Sequence, residues 1–244
     1  MRNPWIKIAK QWKKNQPKDY VLPDELQIIQ KYNERTNKSE YKIHTNLTPV
    51  PFIGDIVNSK IFLLQLNPGV YLPPGFQESP VTELYKAFPH IVKDSLKNIC
   101  QQKVKYKFIS LNAEKPQSDG FRYWTKIFKP YIKEKKDYYK ISKSVCCIEY
   151  FPYHSNKFKP IHKSISKKFL DSQLFNASIV KRAIENKKLI ILMRGRKQWK
   201  SLLKAEGIKN LKKIKWKWTN PSNASLPKKG KRFNKIMGLI KKTK

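Results

Sequence analysis

Acidic residues are scarce in this chain: 17 Asp and Glu stand against 53 Lys and Arg in 244 residues, a formal net charge of +36. A nuclease that holds two metal ions needs clustered carboxylates, and the ends of the apolar runs offer only Glu149. Cysteine is rarer still. Cys100, Cys146 and Cys147 are too few and too unevenly spaced for a disulfide framework or a four-Cys cluster. Adjacent Cys146 and Cys147 lie inside an apolar run and read as buried strand residues. No His/Cys ligand set is visible, so neither metal nor cofactor is expected. Long apolar runs are missing too: nothing approaches membrane-spanning length. Met1-Arg2-Asn3-Pro4-Trp5 lacks the apolar stretch of a secretory signal. The expected setting is a reducing cytoplasm.

What the chain has in excess is positive charge. Of the 53 basic residues 46 are Lys. A Lys bias with many Asn and Ile is also what an AT-rich genome produces. The imbalance nonetheless favours a polyanionic partner, most simply nucleic acid, and a monomer is expected. A membrane surface fits less well, because no long amphipathic or apolar anchor accompanies the charge.

The apolar fraction, 39 %, allows a real core. Trp5 and Trp12, seven apart, suit one face of a short helix. Pro23-Asp24-Glu25 starts a second helix running to about Asn33. The core begins at Phe52-Ile53-Gly54-Asp55. Strands are expected at Ile61–Leu66, Ser144–Tyr150, Lys188–Met193 and Ile214–Thr219, with Tyr106–Leu111 a short strand or extended segment. Helices are expected at 81–100, interrupted near Pro89, and at 120–129, 171–186 and 194–205, with a basic helix last. Strands alternating with helices argue for a mainly parallel sheet between helical layers. The expected fold is a three-layer α/β/α sandwich with a mainly parallel four-stranded sheet. Residues 1–48 form a basic helical N-terminal extension and residues 49–244 the α/β/α domain.

Two of these strands close on Asn-Pro turns. Ile61–Gln65 runs into Leu66-Asn67-Pro68-Gly69, and Ile214–Thr219 runs into Asn220-Pro221-Ser222. Ligand sites in open α/β sheets form at the carboxyl ends of strands. An Asn there offers one acceptor and two donors, and the following Pro stiffens its loop. Both pairs also suit ordinary strand-capping turns.

Leu66-Asn67-Pro68-Gly69 resembles the first motif of the uracil-DNA glycosylase superfamily, especially its mismatch-specific and single-strand-selective branches. Asn220-Pro221-Ser222, followed by Asn223-Ala224-Ser225-Leu226, resembles its last motif. Phe151-Pro152-Tyr153-His154-Ser155 and Ser172-Gln173 look like segments of an uncharacterised bacterial branch. The resemblance covers about residues 50–240 and implies hydrolysis of the bond between an extruded base and its sugar.

By that resemblance Asn67 holds the attacking water. Donors of the Asn220–Ser222 loop stabilise the departing base or grip a phosphate, and Leu226-Pro227 fills the gap left by the flipped base. Two departures bear on rate. Many members carry His where Asn220 stands, and the most active branch carries Asp where Asn67 stands, so slow action on ordinary uracil is expected.

Glu149 falls where several members read the base edge with Asn. An ionised carboxylate only accepts hydrogen bonds, which fits the amino group of cytosine and repels the C4 carbonyl of uracil. An amino-bearing base, such as a modified cytosine, is therefore expected; a Lys partner is the other place for Glu149. His154, in an aromatic loop at a strand end, suits assistance to the leaving base, a phosphate contact, or a purely structural role. Tyr71, Phe76 and Tyr150 are candidates for the base-binding surface, Phe76 resembling the stacking position most. The Pro-rich loop 70–80 leaves room for a bulky base.

Lys157, Arg194, Arg196, Lys228 and Lys229 follow strand ends and, with Ser222, are expected on the rim where a phosphate backbone runs. The expected activity is that of a monofunctional DNA glycosylase, in repair or in defence against phage with modified DNA. A non-catalytic nucleic-acid reader on the same fold is the alternative.

Overall fold

The computed structural model describes residues 3–15, 17–70, 89–114, 119–208 and 225–243. Among these, four strands form one open sheet in the order β1-β3-β2-β4: β1 Phe52–Gly54, β2 Ile61–Gln65, β3 Val145–Glu149 and β4 Leu189–Leu192. β2 runs parallel to both β3 and β4, and β1 lies antiparallel along β3. Eight α-helices accompany the sheet: α1 Trp5–Lys14, α2 Pro23–Glu34, α3 Pro89–Ile99, α4 Asp119–Phe128, α5 Lys135–Ser144, α6 Asp171–Glu185, α7 Arg196–Ala205 and α8 Gly230–Lys241.

The three parallel strands are apolar along almost their whole length because both of their faces are covered. Successive side chains alternate between two clusters. Phe62, Leu64, Cys146, Ile148, Ile190 and Leu192 pack with residues of α1, α2, α3, α6 and α7. Ile61, Leu63, Val145, Cys147, Leu189 and Ile191 pack with residues of α4, α5 and α8.

Several expectations change. Tyr106–Leu111 is no strand: Phe108 N–H donates to both the main-chain oxygen and Oγ of Ser142, and Ile109–Leu111 closes a 3₁₀ turn. The antiparallel edge strand is β1. The expected strand Ile214–Thr219 lies outside the described residues. Helix α5 carries little apolar periodicity. Its start is fixed by Asp137 Oδ2, which accepts from the N–H groups of Lys133 and Glu134 at 2.8 and 3.1 Å.

Residues 1–48 do not stand apart from the core. Trp5, Trp12 and Ile29 belong to the same buried cluster as Phe62 and Leu64. Trp5 meets Trp12 at 6.4 Å and the edge of Tyr153 at 6.1 Å between ring centroids. Glu25 of α2 is buried and satisfied. It accepts from Tyr153 Oη at 2.6 Å, Ser172 N at 2.7 Å and Ser172 Oγ at 2.9 Å. Burial pushes its carboxyl up, the three donors pull the other way, and the Asp171 charge at the start of α6 adds to the rise. Tyr153 Oη in turn accepts from Leu22 N. The first two helices are thus fastened to the loop that follows β3.

Candidate functional site

Because β2, β3 and β4 are parallel, their carboxyl ends share one side of the sheet. That side brings together Gln65 at the end of β2 with Asn67 after it, Glu149 at the end of β3 with Tyr150 after it, and Arg194 after β4. Leu66 and Tyr150 extend the ladder by one step, with Tyr150 N–H on Gln65 O at 3.1 Å and Phe151 N–H on Leu66 O at 2.8 Å.

Asn67 is half-buried. Its Nδ2 lies 3.2 Å from Pro68 O, 3.2 Å from Ser155 O and 3.0 Å from Ser155 Oγ. Two of these are main-chain carbonyls, which only accept, so the amide must turn its NH₂ toward them. Oδ1 is left as an acceptor with no partner among the described residues. Ser155 is itself tied down, its N–H to Pro68 O and its Oγ to Lys157 O at 3.0 Å. Ser155 holds the side chain that the sequence singled out, although no sequence signal beyond its place in the Phe151–Ser155 segment marks it.

Gly195 sets the facing loop. It has φ +74°, and a Cβ there would lie 2.3 Å from Leu66 Cδ2 and 2.9 Å from its Cγ. Only glycine accepts both the left-handed backbone and the close approach. Gly195→Ala is expected to destabilise the fold by about 2–4 kcal/mol, read as a lower denaturant midpoint. Displacing Leu66 shifts its neighbour Asn67 too.

Glu149 is 5 % exposed. Its Oε1 receives only Cys147 Sγ at 3.8 Å, and its Oε2 has no hydrogen-bond partner. Burial pushes its carboxyl up to about 8, against the opposing pull of the Cys147 thiol and the Arg194 guanidinium. At neutral pH the group therefore carries a proton and can donate as well as accept. The expected exclusion of uracil by a negative carboxylate does not hold below that range. The main chain of Glu149 is held separately: Asn176 Nδ2 bonds its carbonyl at 2.8 Å and Pro51 O at 3.2 Å. No Lys takes Glu149 as an ion-pair partner among the described residues.

Two residues join this group unannounced by the motifs. Gln65 is the one polar side chain of β2 and pairs in register with Glu149. Its Nε2 donates to Tyr123 Oη of α4 at 3.1 Å, and its main-chain oxygen accepts from Trp199 Nε1 at 2.7 Å. The signal for Gln65 was a polar residue interrupting an apolar strand. Tyr123 gave only an amphipathic helix position. Burial raises the Tyr123 phenol to about 12, with Arg194 opposing and Glu149 adding to the rise.

Other expectations are corrected. Both ring nitrogens of His154 face main-chain carbonyls, Nδ1 to Gly69 O at 3.2 Å and Nε2 to Thr48 O at 3.1 Å. Burial nevertheless lowers its imidazole to about 4, so it is neutral at pH 7 and has no spare proton for a leaving base. Its single N–H donates to one of the two carbonyls, that of Gly69 in the Asn67 turn or that of Thr48. Tyr150 points to the opposite face from Glu149 and packs edge-on against Trp199 and Phe158, each at 5.8 Å; it belongs to the core rather than to a base-binding surface. Leu226 is 4 % exposed within the α4–α5–α8 cluster. A wedge must protrude, so Leu226 does not serve as one in this arrangement. Lys157 is exposed but pairs with Glu40 at 3.1 Å.

Arg194, Arg196, Lys228 and Lys229 are exposed. Tyr71, Phe76, Asn220 and Ser222 lie outside the described residues. Surface depressions of about 60 Å³, at the amino ends of the strands beside Phe62 and Lys188, and about 480 Å³, beside Lys181 and Glu206, include neither Asn67 nor Glu149. No family model, no curated protein and no solved structure matches this chain.

Proposed function

We propose that the protein is a monofunctional DNA glycosylase that extrudes a base, preferentially an amino-bearing one such as a modified cytosine, and hydrolyses its N-glycosidic bond. The reading takes the sheet, with buried clusters on both faces, as a three-layer α/β/α sandwich of the uracil-DNA glycosylase type. The observation that carries it is the Asn67 amide. Its NH₂ is spent on Ser155 and Pro68, and its Oδ1 is left open on the side of the sheet where Glu149 Oε2 also lacks a partner.

Such an oxygen can hold a water by accepting one of its protons. The water oxygen then bonds to the anomeric carbon as the carbon–nitrogen bond breaks. The bonding pair leaves with the base, the attacking water gives up one proton to solvent, and the base anion takes up one from solvent. An amide is a weak base, but it suffices where the sugar already carries oxocarbenium character, as in glycoside cleavage. Extrusion costs a few kcal/mol, least for mismatched or single-stranded substrate. Phosphate contacts from the cationic surface offset part of that. The products are a free base and an abasic site, which suits repair or defence against phage carrying modified cytosines.

Duplex and single-stranded oligonucleotides containing uracil, cytosine or 5-substituted cytosines test this directly, with alkali to reveal abasic sites and Asn67→Ala as control. Salt-dependent DNA affinity without any alkali-labile site in the whole panel would leave a non-catalytic reader instead. Affinity itself is expected to fall about 10³-fold or more between 50 and 200 mM salt if six or more phosphates are contacted, read by fluorescence anisotropy.

A further inference from the structure

Three unused hydrogen-bonding functions meet where β2 and β3 end. Gln65 is 4 % exposed and stands opposite Glu149 across a parallel ladder. Paired residues in a sheet send their side chains to the same face, here the face of α4. Gln65 Nε2 is engaged by Tyr123, but its Oε1 receives no hydrogen bond among the described residues. Glu149 Oε2 is buried without a partner. Tyr123 Oη accepts from Gln65 and gives its own proton to no described group. Of the three, Glu149 Oε2 is the buried one, and a buried polar atom without a partner calls for a reason. Structural duty does not supply one, because Asn176 already secures the main chain at Glu149. Tyr123, 41 % exposed, connects the group to solvent.

We propose that Gln65, Glu149 and Tyr123 form one reading element for the amino edge of a 4-aminopyrimidine, cytosine or a cytosine substituted at carbon 5; the inference rests on the glycosylase reading and names its substrate class. The protonated Glu149 carboxyl donates to the ring nitrogen N3 and accepts one hydrogen of the 4-amino group. The second amino hydrogen goes to Gln65 Oε1. Uracil also pairs with a neutral carboxyl, through N3–H and O4. Its O4 then turns a lone pair toward Gln65 Oε1, and the two oxygens repel. Discrimination therefore lies with Gln65, and Glu149 supplies grip. Tyr123 is a positioning residue. By taking Gln65 Nε2 it keeps Oε1 toward the base; without the phenol the amide is free to turn and offer its NH₂ to uracil.

Among the described residues, the groups facing Glu149 are Cys147 on its own strand, Tyr123 of α4 and Arg194 after β4. Of these only Arg194 is charged at neutral pH. Loss of the Glu149 proton above about pH 8 removes the donor to N3. Binding of the aminopyrimidine then weakens as pH rises through that range.

The test uses the full chain and two readouts. Thermal shifts with free cytosine, 5-methylcytosine, 5-hydroxymethylcytosine and uracil, each at millimolar concentration, report base recognition. Abasic-site formation on matched oligonucleotides reports chemistry. The wild-type protein is expected to prefer the cytosines over uracil about 10- to 100-fold. Tyr123→Phe and Gln65→Leu, both conservative in volume, are expected to narrow that preference at least tenfold, with uracil gaining in Tyr123→Phe. Equal response to cytosine and uracil in the wild type, or an unchanged preference in both variants, overturns the reading element even if bases are released. Cytosine-selective shifts without any base release uphold it and overturn the glycosylase reading.

Discussion

Glu149→Gln is expected to make the protein more stable at neutral pH, not less. Burial keeps the Glu149 carboxyl protonated up to about pH 8 in the folded chain, whereas its ordinary value is 4.5. Between these values the folded state holds a proton that the unfolded state has released. Stability therefore falls as pH rises, by about 1.4 kcal/mol per unit. Below pH 4.5 both states are protonated and the penalty vanishes; above about 8 both are ionised and it is at its largest. At pH 7 the penalty comes to about 3 kcal/mol. Gln keeps the shape and has no proton to lose. Its gain over the wild type should be near zero at pH 4.5 and about 3 kcal/mol at pH 7. For a chain of this size that corresponds to roughly 6–12 °C in Tm. Paired denaturation curves at pH 5, 6, 7 and 8 measure it. A difference that does not change with pH would show that Glu149 ionises normally. A protein that retains a destabilising carboxyl at the carboxyl end of its parallel strands fits a site kept for use rather than for folding.

Asn67→Ala is expected to lower the rate of base release by about 10²–10⁴-fold, the range associated with a group that positions or activates the attacking water. DNA affinity should change little, because the amide is not part of the cationic surface. Single-turnover cleavage with excess protein, alongside anisotropy, separates the two. Asn67→Asp is the more telling companion. A carboxylate is ordinarily the stronger base, yet here it would face the carbonyl oxygens of Pro68 and Ser155, from which Nδ2 now lies 3.2 Å. Those acceptors would repel it and raise its pKa. Asp is therefore expected to lose activity near neutral pH rather than gain it. An Asp variant faster than the wild type would mean that the attacking water is not held by this turn.

The parallel strands could be read from sequence because burial on both faces makes them continuous apolar runs, as in Ile61–Leu64 and Leu189–Leu192. The edge strand Phe52–Gly54 could not, since three residues carry no period. Tyr106–Leu111 has β-branched and aromatic composition, but Ser142, 34 residues away from Phe108, captures its N–H group and bends it. In the site, Asn67 stood out because a Pro follows it at a strand end. Its holder, Ser155, lies 88 residues on, and Tyr123 reaches Gln65 across 58. Such pairings are set by topology rather than by local pattern. His154 misled for the same reason: its aromatic neighbours suggested a site, and only the fold shows its two nitrogens turned onto backbone carbonyls.

The clasp at Glu25 has a consequence for how the molecule comes into being. Its partners, Tyr153 and Ser172, lie 128 and 147 residues further along. A ribosome delivers α1 and α2 long before either arrives, so this fastening closes only after Ser172 has been made. Contacts of such separation slow folding. Until they close, the loop that carries Ser155 has its main-chain bonds to Leu66 and Pro68 but no tie to the first two helices, so the surroundings of Asn67 are complete only once this long closure has been made.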